Sequence, residues 1–195
     1  MFPTGEEVRR GLAAVLPLFS FKASGLGLIE KDRWTAWRSF LAGVLALPPF
    51  VIFILVQQRE MASEPLGFHF FAVWFLTYVL LWGALPLILL EVGRNKSFAP
   101  RLPHFIATYN WLLLPIAYLR IIIAILPEPL NGIFMPFFIF YVFGMKWYLA
   151  RKSLEISGWG ATAIVALGFF LSLNIVNIAF GLTEAEVRLP ERTPN

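Results

Sequence analysis

Five apolar runs, each about as long as a helix must be to cross a bilayer, constrain this chain more than any other feature. They are Phe40–Val56, about Leu66–Leu90, His104–Leu126, about Ile133–Leu149 and Ala161–Leu182. Each is close to the ~20 apolar residues that a hydrocarbon core demands. Inside that core each backbone N–H and C=O must be satisfied within the segment, which predicts five helices. Composition agrees: 58% of the 195 residues are hydrophobic, 14% are charged, and the mean hydropathy is +0.72. A soluble domain carries roughly a quarter charged residues, so polar surface here is too scarce to cover a water-exposed globule. The predicted fold class is all-α, a polytopic membrane helix bundle with five transmembrane helices.

The connections are short and carry the breakers: Glu64-Pro65, Gly93, Pro100 with Pro103, Pro127-Glu128-Pro129, and Gly158 with Gly160. Only "PEPLN" joins the third and fourth runs, which predicts an antiparallel helical hairpin. Three regions follow: a cytoplasmic N-terminal segment (1–39) with an amphipathic surface helix, the five-helix bundle (40–182), and a short polar outside tail (183–195).

Charge sets the orientation. Lys and Arg number six before the first run and one (Arg59) after it, then three (Arg94, Lys96, Arg101). Next come none, three (Lys146, Arg151, Lys152) and two in the tail. That alternation is the positive-inside pattern of a protein with its N-terminus in the cytoplasm and its C-terminus outside. Trp34, Trp37, Trp111, Trp147 and Trp159 fall at the expected cytoplasmic ends, where interfacial rings collect. The expected location is the bacterial inner membrane, with membrane lipids as the first partners.

In the N-terminal segment Val8, Leu12, Val15, Leu16 and Phe19 recur at helical spacing, with Glu7 and Arg10 off that stripe. Such a helix lies on the membrane surface or packs under the bundle; the sequence leaves both open. A signal peptide fits poorly, because Pro17 interrupts the short apolar stretch and Lys22 follows without a small-x-small site.

Chemistry is not visible. His69 and His104 lie at opposite expected membrane faces and cannot share a metal. The chain has no cysteine, one aspartate (Asp32) outside the runs, and no zinc-protease, nucleophile-elbow or phosphate-loop motif. "EEVRR" (Glu6–Arg10) faintly resembles the double-glutamate motif of membrane CAAX-type proteases, with the wrong arginine spacing and no partner histidines. No cofactor is expected, and no nucleic acid, because no basic stripe with interleaved aromatics occurs. Glu91, three residues before Arg94, reads as a candidate helix-end ion pair.

Polar residues inside the runs are therefore the best clue, since they are costly there and usually face the bundle interior. Arg120 stands in the third run, and Asn174 and Asn177 share a face of the fifth at similar depth. Arg120 either snorkels to the outer headgroups or pairs with those two amides as an intramembrane polar cluster. Pairing makes the third and fifth helices neighbours. Gly168 and Ser172 have the small-xxx-small spacing that permits close approach, within the bundle or in a dimer.

The stretches "RWTAWRSFLAGVLALP", "FIATYNW" and "YLARKSLEISGWGATAIVAL" resemble a group of small bacterial integral membrane proteins that is distantly similar to the Yip-domain family. The resemblance covers about residues 26–182. It implies a five-helix bundle with a cytoplasmic N-terminus and, by analogy with eukaryotic Yip-domain proteins, action through partner binding. It implies no catalytic residues, and the Asp-Leu-Tyr-Gly-Pro signature of Yip-domain proteins does not occur here.

Two functions remain. One is an interaction protein, a scaffold or accessory subunit that meets a protein partner or a second copy through its membrane helices. The other is a small transporter or lipid-handling protein with a polar cavity near Arg120. An open cavity reaching Arg120 favours the second; a closed bundle with an apolar groove favours the first.

Overall fold

A computed structural model describes residues 4–59 and 67–187, and every regular element among them is a helix. Helix α1 (Gly5–Phe19) starts on a capping box: Thr4 Oγ1 accepts from the Glu7 N–H at 3.3 Å, and Glu7 Oε2 accepts from the Thr4 N–H at 2.6 Å. Both satisfy amide donors that a helix start leaves unpaired. A 3-10 turn over Ala23–Leu28 then folds back against α1. Gly25 sits so close there that a Cβ would lie 2.3 Å from the Ala14 carbonyl oxygen, so no larger residue fits without moving backbone.

The first membrane helix begins earlier than the apolar run, because Asp32 caps it by accepting from the N–H groups of Trp34 (2.8 Å) and Thr35 (3.0 Å). It comes in three pieces: α2 (Arg33–Arg38), α3 (Leu41–Leu45) and α4 (Leu47–Arg59). The break before α4 has a cause in the sequence. Pro48 and Pro49 have no N–H to return to the preceding turn, and the Leu45 carbonyl that Pro49 leaves unpaired accepts instead from the Tyr118 hydroxyl at 3.2 Å. The neighbouring Gly43 carbonyl accepts from the Tyr78 hydroxyl.

Four long helices follow: α5 (Phe68–Gly93), α6 (Leu102–Ala124), α7 (Leu130–Leu154) and α8 (Gly158–Val187). With the α2–α4 run they give five helices long and apolar enough to cross a membrane. The hairpin across "PEPLN" is present, α6 packing on α7 and Asn131 Nδ2 donating to the Ala124 carbonyl at 3.2 Å. The expected tail at 183–195 begins as helix, since α8 runs on through Val187; residues 188–195 and the connection 60–66 lie outside the described residues.

We call the end of the bundle that carries α1 basal and the other distal. Helix α6 is the hub. It packs on α1, on the α2–α4 run, on α5 and on α7, whereas α8 packs on α5 and α7. Thus α6 and α8 face each other with α5 and α7 between them. The buried residues of α6 end at Ile116 and those of α7 begin at Met145, so both sets lie toward the basal end. The basal half is close-packed around Leu102, Phe105, Leu112, Met145 and Leu149. The distal half is not.

A polar layer threads that basal core. Asn110 Nδ2 donates to Ser39 Oγ at 2.9 Å, and the Ser39 hydroxyl donates to the Ala36 carbonyl at 2.6 Å. His104 Nε2 lies 2.9 Å from the Leu26 carbonyl oxygen, tying α6 to the 3-10 turn. At the rim Arg101 and Glu155 form an ion pair at 2.5 Å.

The N-terminal helix is packed rather than free on the surface. Gly11, Ala14, Val15 and Leu18 are buried, and a Cβ at Gly11 would meet the Trp111 ring at 2.4 Å. A second apolar strip, with Leu16 75% exposed, faces away from the protein. Trp34, Trp37 and Trp159 are exposed at the basal end, as an interfacial girdle requires. Trp111 is not part of it. Although its position in the sequence suggests an interface, α1 covers it and leaves it 3% exposed.

Candidate ligand cavity between the helices

A cavity of about 470 Å³ lies between the helices, lined from α4, α5, α6, α7 and α8. That is the size of a small-molecule site, for which ~300–1,000 Å³ is usual. Its position follows from the topology: α6 and α8 are held apart by α5 and α7, and aromatic and branched side chains fill only the basal part of the gap. Phe105 and Tyr109 of α6 line its basal part, and Arg120 lies eleven residues beyond Tyr109. At 1.5 Å per residue that is ~16 Å of helix axis, about the depth of one leaflet's hydrocarbon. Leu102, Met145, Leu149 and Leu154, all 2% exposed or less, close the space beyond. The cavity is a pocket with a packed floor.

Its walls are apolar apart from a few side chains. Arg120 lines the distal part from α6, and its guanidinium carbon sits 4.0 Å from the centre of the Phe53 ring of α4. That is close contact for a cation on an aromatic face. Asn177 lines the wall from α8. Ser172, also in the wall, spends its proton on the Gly168 carbonyl at 2.8 Å, which leaves the hydroxyl oxygen to accept.

The cluster expected from the sequence therefore forms only in part. Arg120 and Asn177 share the cavity, but among the described residues no hydrogen bond joins Arg120 to either asparagine. Asn174 does not line the space; its amide donates to the Phe170 carbonyl, one turn back on α8, at 2.7 Å. The reason is lateral order: the expectation needed α6 beside α8, and they lie across a gap. The Gly168/Ser172 stripe serves the bundle, since a Cβ at Gly168 would stand 3.2 Å from Leu85 Cδ2 of α5. Glu91 and Arg94 meet through the backbone alone, the Arg94 N–H donating to the Glu91 carbonyl at 3.3 Å. Their side chains, both exposed, make no ion pair, in keeping with the small gain such a surface pair offers over hydration.

Lys146 is the residue the sequence reading missed. Counted there as a cytoplasmic flank, it stands eight residues before the end of α7, ~12 Å inside the helix, and lines the cavity. Its ammonium lies 5.7 Å from the centre of the Tyr109 ring. The available signal was direction. Helical Cα–Cβ bonds tilt toward the helix N-terminus, so on α7 Lys146 starts out toward the distal side, away from the basal water. On α6, which runs the other way, Arg120 starts out toward the basal side. Both cations lean into the bundle.

Among the described residues no aspartate or glutamate lines the cavity, and none forms a group of His, Cys, Asp or Glu able to hold a metal. The described lining carries two cationic side chains and no counter-charge. Such a lining can accommodate an anion with an apolar body. Compared with family models, curated proteins and solved structures, the chain matches none, so the cavity carries the functional reading by itself.

Proposed function

We propose that this chain is a multi-pass protein of the bacterial inner membrane that binds anionic amphiphiles in its central cavity, as a lipid-handling protein or small carrier. One observation carries the reading: an apolar cavity inside membrane-spanning helices bears Arg120 and Lys146 and, among the described residues, no carboxylate. Charges at that depth pair with something, and the described residues around the cavity offer aromatic faces but no anion. A carboxylate or phosphate on a hydrocarbon body supplies the missing charge and fills the apolar walls.

Orientation follows from charge. Arg101, Arg151 and Lys152 collect at the basal end with the basic residues of the N-terminal segment, so that end is cytoplasmic by the positive-inside pattern. The ligand then enters from the outer, distal half, where the helices are least packed. The interaction reading has less support, because it asks for a closed bundle.

Saturable binding of radiolabelled palmitate to the full-length protein in mild detergent tests this. The Arg120→Met variant should weaken binding about tenfold or more, since a hydrogen bond to a charged group is worth ~1.5–3 kcal/mol. Arg120→Lys should keep part of it. Unsaturable binding, or equal affinity for wild type and Arg120→Met, would refute the proposal.

A further inference from the structure

Arg120 alone accounts for a single anionic headgroup; Lys146 is left over. It sits at the inner part of the same cavity, ~16 Å of helix axis from Arg120 as judged by its contact with Tyr109. Between the two the walls are apolar, with Leu113, Ile116 and Phe138 among them. If a singly charged amphiphile placed its head at Arg120, its tail would press hydrocarbon on the Lys146 ammonium. If the head went to Lys146, the tail would crowd the Arg120 guanidinium. Either way one cation lies against alkane without an anion, which costs far more than placing a neutral group there.

We infer that the cavity is built for a bipolar ligand, an aliphatic chain carrying an anionic group at each end, one held by Arg120 and the other by Lys146. This rests on the amphiphile-binding reading above and names its ligand class. Charge complementarity selects the ends: two cations, with no carboxylate among the described lining residues, match two anions. Length selects the chain, since the anions must lie about as far apart as the cations, and neither cation starts out toward water. Residues that hold each end have distinct surroundings. Arg120 has Phe53 on one face and Asn177 across the space, whereas Lys146 has Tyr109.

The test compares hexadecanedioate with palmitate on the full-length protein in mild detergent, by competition and by stoichiometry from native mass spectrometry. The long diacid should bind at least about tenfold more tightly, the effect of one further charge-assisted contact, with one molecule per chain. Lys146→Met should erase that advantage by weakening the diacid about tenfold, while palmitate, whose tail no longer meets an ammonium, binds no more weakly than before. Lys146→Arg should retain it. Octanedioate, too short to join the two cations, should show no advantage over octanoate. A melting curve for each variant separates loss of binding from loss of fold. Equal affinity for the long diacid and palmitate overturns the inference, as does binding of two palmitates per chain in place of one diacid. In both cases an Arg120-dependent palmitate signal leaves the amphiphile-binding proposal standing; absence of any saturable binding removes both.

Discussion

The Asn110 side-chain amide donates to the Ser39 hydroxyl at 2.9 Å, and the two residues, 0% and 1% exposed, clamp the middle of α6 to the start of the first membrane helix. Asn110 Oδ1 has no hydrogen-bond partner among the described residues. The amide is thus half-satisfied, and Ser39 carries the satisfied half. This clamp ties α6 to the first membrane helix at the depth of the cavity's basal part.

Removing one partner should therefore harm more than removing both. Ser39→Ala strands the whole Asn110 side chain and should cost ~1–3 kcal/mol, the usual desolvation penalty of an orphaned polar group. Adding Asn110→Leu to it should recover part of that loss. Thermal melts of wild type, Ser39→Ala, Asn110→Leu and the double variant in one detergent decide it: a double variant as unstable as the sum of its parts would show that the clamp is not a coupled unit.

The N-terminal segment should loosen in acid. Glu7 is held below the usual carboxylate range chiefly by the Thr4 N–H and further by the Arg38 guanidinium, with partial burial opposing. Asp32 is held low mainly by the Thr35 hydroxyl, then by the N–H groups it caps. Because both native values lie below the unfolded ones, ~4.3 and ~3.9, their stabilisation is complete above those values. It is lost as pH falls through the native ones. Hydrogen exchange of α1 amides, corrected for intrinsic rates, should accelerate from about pH 4 downward. Glu7→Gln should already exchange faster at neutral pH and respond less to acid. A variant with the wild-type pH response would remove Glu7 from the account.

Topology is testable in a chain without cysteine. Asn131, in the first turn of α7, and Ser97, in the turn after α5, lie at opposite ends of the helices and can each be replaced by a single cysteine. From the basic residues gathered at the basal end, Asn131→Cys should react with an impermeant maleimide in whole cells and Ser97→Cys should react only after lysis. Labelling at Ser97 in intact cells would invert the assignment and with it the side from which a ligand enters.

What the sequence made legible was whatever one helix decides by itself. Hydropathy marked five spans, and proline and glycine marked where they stop. Two boundaries slipped: the Asp32 cap starts the first membrane helix before its apolar run begins, and α8 continues beyond Leu182. Lateral order was not legible. Lipid-facing and helix-facing positions are equally apolar, so no periodicity says that α8 touches α5 and α7 while facing α6 across a gap. Trp111 shows the same limit, because a ring that suits an interface suits a pocket beneath Gly11 as well. Lys146 was misplaced for another reason: a charge near a span end reads as flank until its tilt along the helix is considered.

Arg120 supplies the final prediction, because its contacts fix which partners should couple to it. Its guanidinium rests 4.0 Å from the centre of the Phe53 ring, and a cation on an aromatic face is worth ~0.5–1 kcal/mol when exposed and ~2 when desolvated. Asn174, by contrast, uses its amide on its own helix. A double-mutant cycle of Arg120→Leu with Phe53→Leu should thus show a coupling on the order of 0.5–2 kcal/mol. The cycle of Arg120→Leu with Asn174→Leu should add within ~0.5 kcal/mol, as independent sites do. The signs are informative too. Phe53→Leu leaves the guanidinium without its aromatic face, so it should be the more harmful single change when Arg120 is present and close to neutral once Arg120 is gone. Coupling to Asn174 but not to Phe53, measured in detergent melts, would mean that the third and fifth membrane helices meet directly and that the cavity between them is closed in solution.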